Sequence, residues 1–341
     1  MADASIENAG LVIVDKDAGM TSHDVVSRCR KMFDTRRVGH AGTLDPMATG
    51  VLVVGVERAT KLLGLLTLTT KSYSATIRLG AATDTDDREG EEISRTDASH
   101  LTDTQILERI ADLTGDIQQV PARVSAIKVD GRRAHSLART GAEFDLAARP
   151  VSVSRFDVRS IRRDPVPEEP VSGAGGGVSV PEEPVSGAGG GVSVPEEPVS
   201  GASGRLEGFI DLDVEVDCSA GTYIRSLARD LGSALGVGGH LTALRRTAVG
   251  PFTLEHARTL DALSEEPRLS LTIDEAVKIS FPHRDIDDDE AESISQGRWL
   301  TPVGRKETYV VIDPAGRAIA LVQEKGRRAS SVMVVRPATL R

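Results

Sequence analysis

Two periodicities of apolar and polar residues alternate along the chain, and together they indicate a fold that mixes strands with helices. Residues 73–79, 151–161 and 206–216 alternate apolar with polar side chains, as expected for half-buried strands. Residues 102–113 instead carry apolar side chains at helical spacing and are followed by Gly115, which predicts a helix. The segments 151–161 and 206–216 are predicted to pair with each other.

Continuous apolar runs at 11–15 and 51–56 predict buried strands. Further predicted helices are 22–33 with Ser22 as the N-cap, 59–66, 134–139, 222–235, 272–279 and a helix that starts within 285–292; further predicted strands are 124–129, 243–249, 309–312, 318–323 and 331–335. Strands dominate the middle of the chain, with helices and hairpins between them. The predicted fold class is therefore α+β, with a mixed, largely antiparallel sheet.

An internal repeat separates the two strands that are predicted to pair. A 14-residue unit, VPEEPVSGAGGGVS, starts at 166, recurs at 180 and begins again at 194. It contains few large apolar side chains, so it cannot repay the entropy of ordering. Residues 164–204 are therefore predicted to be a disordered insert at a hairpin tip, which length alone penalises little.

Charge argues weakly against a nucleic-acid partner, because the net charge is −10. Six glutamates belong to the repeat, however, and without them the net charge would be −4. Arginine pairs recur at 36–37, 132–133, 162–163, 245–246 and 327–328, so a local basic face remains compatible with the composition. The two cysteines are far apart, and neither a signal peptide nor a membrane span is predicted, so a cytoplasmic location is expected.

A glycine-rich loop, GHAGTLDPMATG at 39–50, precedes the apolar run 51–56. Its glycines and Pro46 exclude a regular helix or a central strand. The loop carries one carboxylate, Asp45, and one imidazole, His40; Pro46 biases the backbone of Asp45 toward an extended conformation. Rigidly held loops often carry catalytic side chains, but from these residues alone a turn-capping Asp45 and a locally packed His40 are the favoured interpretation.

This loop, with VL after it, closely resembles the signature of the TruB family, the bacterial tRNA pseudouridine synthases that modify the T-arm. The resemblance continues in the family's order over residues 10–250, through VIVDK (12–16) with GMTS (19–22), KSY (71–73) with RLG (78–80) and TDTD (83–86), the segment 121–141, GTYIR (221–225) and LRR (244–246). The resemblance implies the pseudouridine synthase fold, with no cofactor and no metal.

The resemblance also implies an activity and roles for three residues. The enzyme would convert the T-loop uridine, position 55 of the tRNA, into pseudouridine. Asp45 would be the nucleophile, attacking ribose C1′ or uracil C6. Arg225 would pair with it, since an opposite charge within about 4–6 Å favours the ionised carboxylate. Tyr73 would stack on the base, although from the sequence alone it is better explained as a core residue.

Further residues match positions that contact RNA in the family. His40 would occupy the space left by the extruded uridine. Lys16, Lys128, Tyr223 and Leu244 would contribute to RNA or substrate binding. In the acidic loop 83–90, Asp86 or Asp87 is expected to orient an arginine of the site.

The resemblance and the element pattern divide the chain at residues 1–281, the catalytic domain, and 282–341, a small β-rich domain similar to PUA-type RNA-binding modules. A monomer that binds the T-arm of tRNA is expected, with help in tRNA folding as an accompanying role. Three alternatives are less favoured by the sequence: a guide-RNA-dependent, dyskerin-like enzyme, a non-catalytic RNA-binding protein on the same scaffold, and a retaining glycosidase.

Overall fold

The computed structural model describes residues 4–124, 128–129, 132–133, 146–163 and 208–340. Their strands are β1 (Gly10–Lys16), β2 (Val38–Ala41), β3 (Thr49–Val56), β4 (Lys71–Leu79), β5 (Ala81–Thr83), β6 (Glu92–Arg95), β7 (Gly115–Gln119), β8 (Lys128–Val129), β9 (Arg132–Arg133), β10 (Arg149–Arg163), β11 (Ile210–Cys218), β12 (Gly239–Val249), β13 (Phe252–Thr253), β14 (Arg258–Thr259), β15 (Leu271–Thr272), β16 (His283–Asp285), β17 (Tyr309–Ile312), β18 (Ala318–Lys325) and β19 (Arg328–Val334).

Helices lie between these strands. They are α1 (Ala4–Glu7), α2 (Ser22–Met32), α3 (Leu63–Leu66), α4 (Asp103–Asp112), α5 (Ile224–Ala234), α6 (Leu260–Glu265), α7 (Ile273–Ser280) and α8 (Asp288–Ser295), with 3₁₀ turns at Glu57–Leu62, Leu254–His256 and Ala338–Leu340. Helices α2, α4, α5 and α7 agree with the predicted bounds to within two residues; α1 and α6 were not predicted, and the predicted helix 59–66 divides into the 3₁₀ turn at 57–62 and α3. The predicted helix 134–139 and the repeat lie outside the described residues.

One large sheet forms the body of the protein, with the strand order β14-β1-β3-β12-β4-β11-β10-β7 and with β2, β13 and β15 alongside β3, β12 and β1. Within the described residues, only β1 with β14 and β3 with β12 pair in parallel in this sheet. The prediction of a mixed, largely antiparallel sheet is therefore confirmed.

The central strands of the sheet are buried on both faces. On β1, Val12 and Val14 enter one apolar cluster, whereas Leu11 and Ile13 enter the other. Such two-sided burial accounts for the continuous apolar runs in the sequence. By contrast, β4 alternates buried and partly exposed residues along its whole length, as its period-two pattern predicts.

Strands β10 and β11 form the predicted antiparallel pair. Their register runs from Val153 opposite Cys218 to Arg163 opposite Ile210. The segment that contains the repeat therefore leaves and re-enters the sheet at two neighbouring strand ends. The pairing of these two strands is confirmed; the disorder of the insert and its place at a hairpin tip stay predictions, since residues 164–207 lie outside the described ranges.

The C-terminal residues form a second, four-stranded sheet in the order β16-β17-β18-β19. One of its faces has its own core, which includes Tyr309 and Ile319. Its other face, with Val310 and Leu321, shares an apolar cluster with the large sheet. The β-rich C-terminal unit is confirmed, and it packs directly against the body; the division at 281–282 stays a prediction. Among the described helices, none has the length and apolar character that crossing a membrane requires.

One local prediction needs correction, and another is confirmed. Thr21, not Ser22, is the N-cap of α2: its side chain accepts a hydrogen bond from the Asp24 amide, and the Asp24 carboxylate accepts one from the Thr21 amide. The helix predicted to start within 285–292 starts at Asp288, after residues 283–285 have paired with β17 as strand β16.

Candidate active site

The loop between β2 and β3 is fixed by contacts on several sides. The Ser22 hydroxyl, which does not cap α2, accepts a hydrogen bond from the Leu44 amide at 2.9 Å and donates one to the Leu44 carbonyl at 3.2 Å. The carbonyl of Pro46 accepts hydrogen bonds from the Gly19 amide at 2.9 Å and from Lys16 Nζ at 3.2 Å. Leu44 is buried in the core. The loop therefore presents the side chain between Leu44 and Pro46, Asp45, in a defined direction.

Asp45 meets Arg225 in a bidentate ion pair. Arg225 Nε lies 2.9 Å from Asp45 Oδ2, and Nη2 lies 3.0 Å from Oδ1. The arginine side chain is only 3% exposed, whereas the aspartate side chain is 34% exposed. Each carboxylate oxygen keeps lone-pair capacity beyond the arginine contact. The pair therefore holds an oriented carboxylate at the edge of accessible space.

The remaining donors of the Arg225 guanidinium are also engaged. Nη1 donates to the Thr85 carbonyl at 2.7 Å and lies 3.3 Å from Asp87 Oδ2, and Nη2 donates to the Val124 carbonyl at 2.8 Å. The expectation that an aspartate of the 83–90 loop orients an arginine is confirmed for Asp87. Arg225 lies in the first turn of helix α5, and three other chain segments, those of Asp45, Thr85–Asp87 and Val124, converge on its side chain.

A second ion pair, between Arg229 and Asp86, lies one helical turn further along α5 than the Asp45–Arg225 pair. Arg229 Nη1 lies 3.1 Å from Asp86 Oδ2, and the neighbouring Asp230 also contacts Arg229. Burial raises the pKa of Asp86 to about 6, against the opposing effect of Arg229. Asp86 also has a positive φ of 62°, which is uncommon outside glycine. The 84–90 loop is thus held to α5 at two points.

The Asp45–Arg225 pair borders a cavity of about 460 Å³. Its lining residues are Gly42, Thr43, Leu44, Asp45, Thr67, Leu68, Lys71, Tyr73, Ala220, Gly221, Thr222, Tyr223, Ile224, Arg225, Leu244 and Arg246. Ligand pockets typically measure about 300–1,000 Å³, so the space suits a nucleoside-sized group.

Tyr73, on β4, is 7% exposed and lines this cavity. Burial raises the pKa of its phenol, and the Arg246 cation beside it acts in the opposite direction. The phenol is therefore neutral at physiological pH. A neutral ring in a cavity wall supplies an apolar face against which a base can stack.

Two cations in the cavity wall received no role from the sequence. Arg246 is 1% exposed and donates to the carbonyls of Val51 at 2.8 Å and Gly42 at 2.9 Å. Lys71 Nζ donates to the Thr67 carbonyl at 2.9 Å, and burial lowers its pKa to about 8. Lys71 and Arg246 lie in the runs KSY and LRR, which resemble motifs of the family, and this is the feature of the sequence that could have pointed to them. They tie the loop between β2 and β3 and the 67–70 turn to the sheet.

The other residues singled out in the sequence are distributed around this cavity. Tyr223 and Leu244 line it. Lys16 does not: it is fully buried behind the loop, and burial lowers its pKa to about 8. His40 lies on β2 outside the cavity lining, with its Nδ1 buried and without a hydrogen-bond partner among the described residues. Lys128 belongs to strand β8, and its side chain lies outside the described part of the chain.

Solved structures of similar fold were found with high coverage. A "Crystal Structure of a Cbf5-Nop10-Gar1 Complex" matches with a TM-score of 0.63 at 23% identity, covering 98% of this chain and 87% of that chain. A "Structure of H/ACA RNP bound to a substrate RNA containing 2'-deoxyuridine" matches with a TM-score of 0.62 at 23% identity, covering 98% and 86%. The fold is that of the pseudouridine synthases.

Sequence comparisons show which family of pseudouridine synthases the chain belongs to. The N-terminal domain of the TruB family pseudouridylate synthases matches residues 30–171, and two C-terminal domains, of tRNA pseudouridylate synthase B and of tRNA pseudouridine synthase II, match 225–276 and 281–336. Relatives named "tRNA pseudouridine synthase B" from Rhodococcus jostii (strain RHA1) and Nocardia farcinica (strain IFM 10152) are 62% and 60% identical, covering 99% and 96% of this chain and 97% and 94% of their own. The chain belongs to the TruB family, and it is an RNA pseudouridine synthase.

Proposed function

We propose that this enzyme converts the T-loop uridine of tRNA, position 55, into pseudouridine, with Asp45 as the nucleophile. The observation that carries the proposal is the bidentate Asp45–Arg225 pair beside a nucleoside-sized cavity. The relatives named tRNA pseudouridine synthase B support tRNA as the substrate.

The reaction is an isomerisation, in which the N1–C1′ bond breaks and a C5–C1′ bond forms. Asp45 attacks ribose C1′ or uracil C6, and the resulting covalent intermediate lets the base rotate before it is rejoined through C5. The proton on C5 leaves and N1 gains one, so atoms and charges balance without a redox partner. Arg225 keeps the carboxylate ionised and aimed, and Tyr73 gives the base a face on which to stack.

A uridine inside a folded T-loop must leave its stack before Asp45 can reach it. We assign His40 to the space that the base vacates. Burial, and next the Arg246 cation, lower the pKa of His40, so the imidazole is neutral and can stack without bringing a charge into the RNA.

The remaining residues serve binding and positioning in this proposal. Tyr223 and Leu244 contact the substrate from the cavity wall, Lys16 supports the loop through Pro46, and Lys128 contacts RNA. The enzyme acts as a monomer in the cytoplasm, where its tRNA substrate is found. The PUA-like unit 282–341 adds RNA contacts, and help in tRNA folding accompanies the modification.

The test is to incubate the purified chain with an unmodified tRNA transcript and to map pseudouridine at nucleotide resolution. A transcript with cytidine in place of the T-loop uridine is the matched control. We expect pseudouridine at that one T-loop position and none in the control. Release of free uracil would indicate a glycosidase, and tight tRNA binding without product would indicate a non-catalytic binding protein; either result would contradict the proposal.

A further inference from the structure

Leu68 is the most exposed large apolar residue in the described part of the chain, with 74% of its surface exposed. Single exposed leucines are common on protein surfaces and need no explanation by themselves. Leu68 differs from them in its place: among the exposed large apolar side chains of the described residues, it alone lines the cavity that holds the Asp45–Arg225 pair. An apolar side chain kept in water at a binding cavity indicates a contact that the ligand completes.

The residues that line this cavity divide into a buried or half-buried wall and an exposed rim. Four of the lining residues are exposed and form the rim: Thr43, Thr67, Leu68 and Gly221. Two of these are threonines and one is a glycine, so Leu68 supplies the only large apolar surface among the described residues of the rim. Because the cavity has the size of a nucleoside, a nucleotide whose base lies inside it must cross this rim.

The turn that carries Leu68 is held by hydrogen bonds on both of its sides. The amides of residues 67–69 donate to carbonyls of α3, at 2.9 to 3.3 Å. The buried Lys71 ammonium donates to the carbonyls of Thr67 and Thr69, at 2.9 and 2.8 Å, and the Gly250 amide donates to the last carbonyl of the turn at 2.8 Å. The turn is therefore preformed, and little conformational entropy is lost when a ligand covers Leu68.

The cations of the cavity wall are largely engaged with the protein itself. Arg225, Lys71 and Arg246 each donate to two or more backbone carbonyls. A nucleoside in the cavity therefore depends to a large extent on apolar surface for its binding. The ring of Tyr73 supplies such surface in the wall, and Leu68 extends it to the mouth.

We propose that Leu68 is a substrate-binding residue that packs against the target nucleotide where this nucleotide crosses the mouth of the cavity. The contact joins an aliphatic side chain to the apolar faces of the ribose and the base, and it buries a leucine surface that is exposed in the free enzyme. The inference rests on the proposed function in that this cavity takes the target uridine. It adds a residue to which neither the family resemblance nor the sequence pattern gave a role.

The contact acts on binding and leaves the chemical step unchanged. Leu68 carries no charge and no proton, and it touches the nucleotide equally in the ground state and in the transition state. An interaction of this uniform kind lowers the enzyme concentration needed for half-saturation and leaves the maximal rate as it is. Asp45 and Arg225, by contrast, take part in the reaction in the proposed mechanism, so their loss lowers the maximal rate.

The test is single-turnover modification of a T-arm hairpin over a range of enzyme concentrations, which separates the half-saturating concentration from the maximal rate. Leu68→Ala should raise the half-saturating concentration by about fivefold or more and keep the maximal rate within about twofold of wild type. Leu107→Ala is the matched control, because Leu107 on α4 is 49% exposed and does not line the cavity; it should leave both values within about twofold. Unchanged saturation in Leu68→Ala, or a loss in the maximal rate alone, would overturn the proposal.

Two more variants separate an apolar contact from a structural effect on the turn. Leu68→Met keeps an apolar side chain of similar volume and should saturate within about twofold of wild type, whereas Leu68→Asn keeps the approximate shape but is polar and should lose as much as Leu68→Ala. The loss in Leu68→Ala should be equal at low and moderate salt, because a leucine contact releases no counterions. A loss that disappears at moderate salt would show that the substitution acts through the charge of Lys71, and it would refute the direct contact.

The same hairpin distinguishes a failure of this inference from a failure of the proposed function. If the wild type modifies the hairpin and Leu68→Ala saturates as the wild type does, the assignment of Leu68 alone fails. If the wild type forms no pseudouridine in the hairpin, the proposed function fails, and gel-shift affinity for that hairpin then decides about Leu68. Binding that is about fivefold weaker in Leu68→Ala and unchanged in Leu107→Ala would support the contact, and equal affinities would overturn it.

Discussion

Replacing Arg225 with methionine should cost far more stability than removing an ordinary ion pair. The Arg225 and Asp87 side chains are only 3% and 5% exposed, so the substitution leaves the Asp87 carboxylate buried without its cation. Breaking a buried pair in this way typically costs about 3–5 kcal/mol. Asp45 adds little to that figure, because its side chain is 34% exposed and water can replace the arginine.

The uncompensated charge of Asp87 can be removed to test this reasoning. In the double variant Arg225→Met/Asp87→Asn, the amide keeps the shape of the carboxylate and its contacts with Thr85, and we expect about 1–3 kcal/mol of the loss to be recovered. Arg225→Lys keeps the charge but provides three donors in place of five, and it should fall between wild type and Arg225→Met.

The assay is urea unfolding followed by circular dichroism, with Arg109→Met as the control. Arg109 forms an exposed pair with Asp112 at 2.7 Å on α4, and its loss should change the free energy of unfolding by less than about 1 kcal/mol. The reasoning is refuted if Arg225→Met costs no more than Arg109→Met. It is equally refuted if adding Asp87→Asn lowers the stability further, since that would mean that Asp87 is not the group left uncompensated.

Three further outcomes are expected. The pKa of Asp86 is raised to about 6 in the folded protein, so the stability that this group contributes is full below its unfolded pKa of 3.8 and is lost as the pH rises through 6. Asp86→Asn should therefore raise the free energy of unfolding at about pH 7.5, by up to about 3 kcal/mol, and leave it nearly unchanged at about pH 3.5. Joining Arg163 to Gly208 by a short turn should leave the free energy of unfolding in urea nearly unchanged and turnover within a few-fold of wild type, because β10 and β11 already end side by side. A larger loss of tRNA modification would show that the repeat has a role. Affinity for a T-arm hairpin should drop steeply between low and moderate salt, and a flat dependence would show that the arginine pairs lie away from the RNA.

Most of the fold was predictable because local periodicity determines it. The strict alternation along β4 and the helical spacing along α4 correspond closely to the observed elements. Two-sided burial of β1 and β3 likewise produces the apolar runs that mark them in the sequence. The N-cap of α2 was misplaced because Thr21 and Ser22 are both good caps, and only the hydrogen bonds distinguish them.

The site was predictable only in part. Asp45 and Arg225 were paired through resemblance, since no pattern in the chain brings together residues separated by 180 positions. Lys71 and Arg246 were missed because a basic residue in a strand shows nothing of its burial until the register of β4, β12 and the 67–70 turn is known. The same applies to Lys16, which supports the loop through the Pro46 carbonyl and takes no part in the cavity wall.

The central claim is that Asp45 is the nucleophile, and Asp45→Asn tests it most directly. Asparagine keeps the size of the side chain and suits a loop, so the variant should fold, although Arg225 loses part of its compensation. T-arm RNA should bind within about tenfold of wild type, or ~1.4 kcal/mol. Gel-shift affinity and single-turnover product formation should be measured on one preparation. The account predicts near-normal binding with no detectable pseudouridine, and measurable turnover by well-folded Asp45→Asn protein would contradict it.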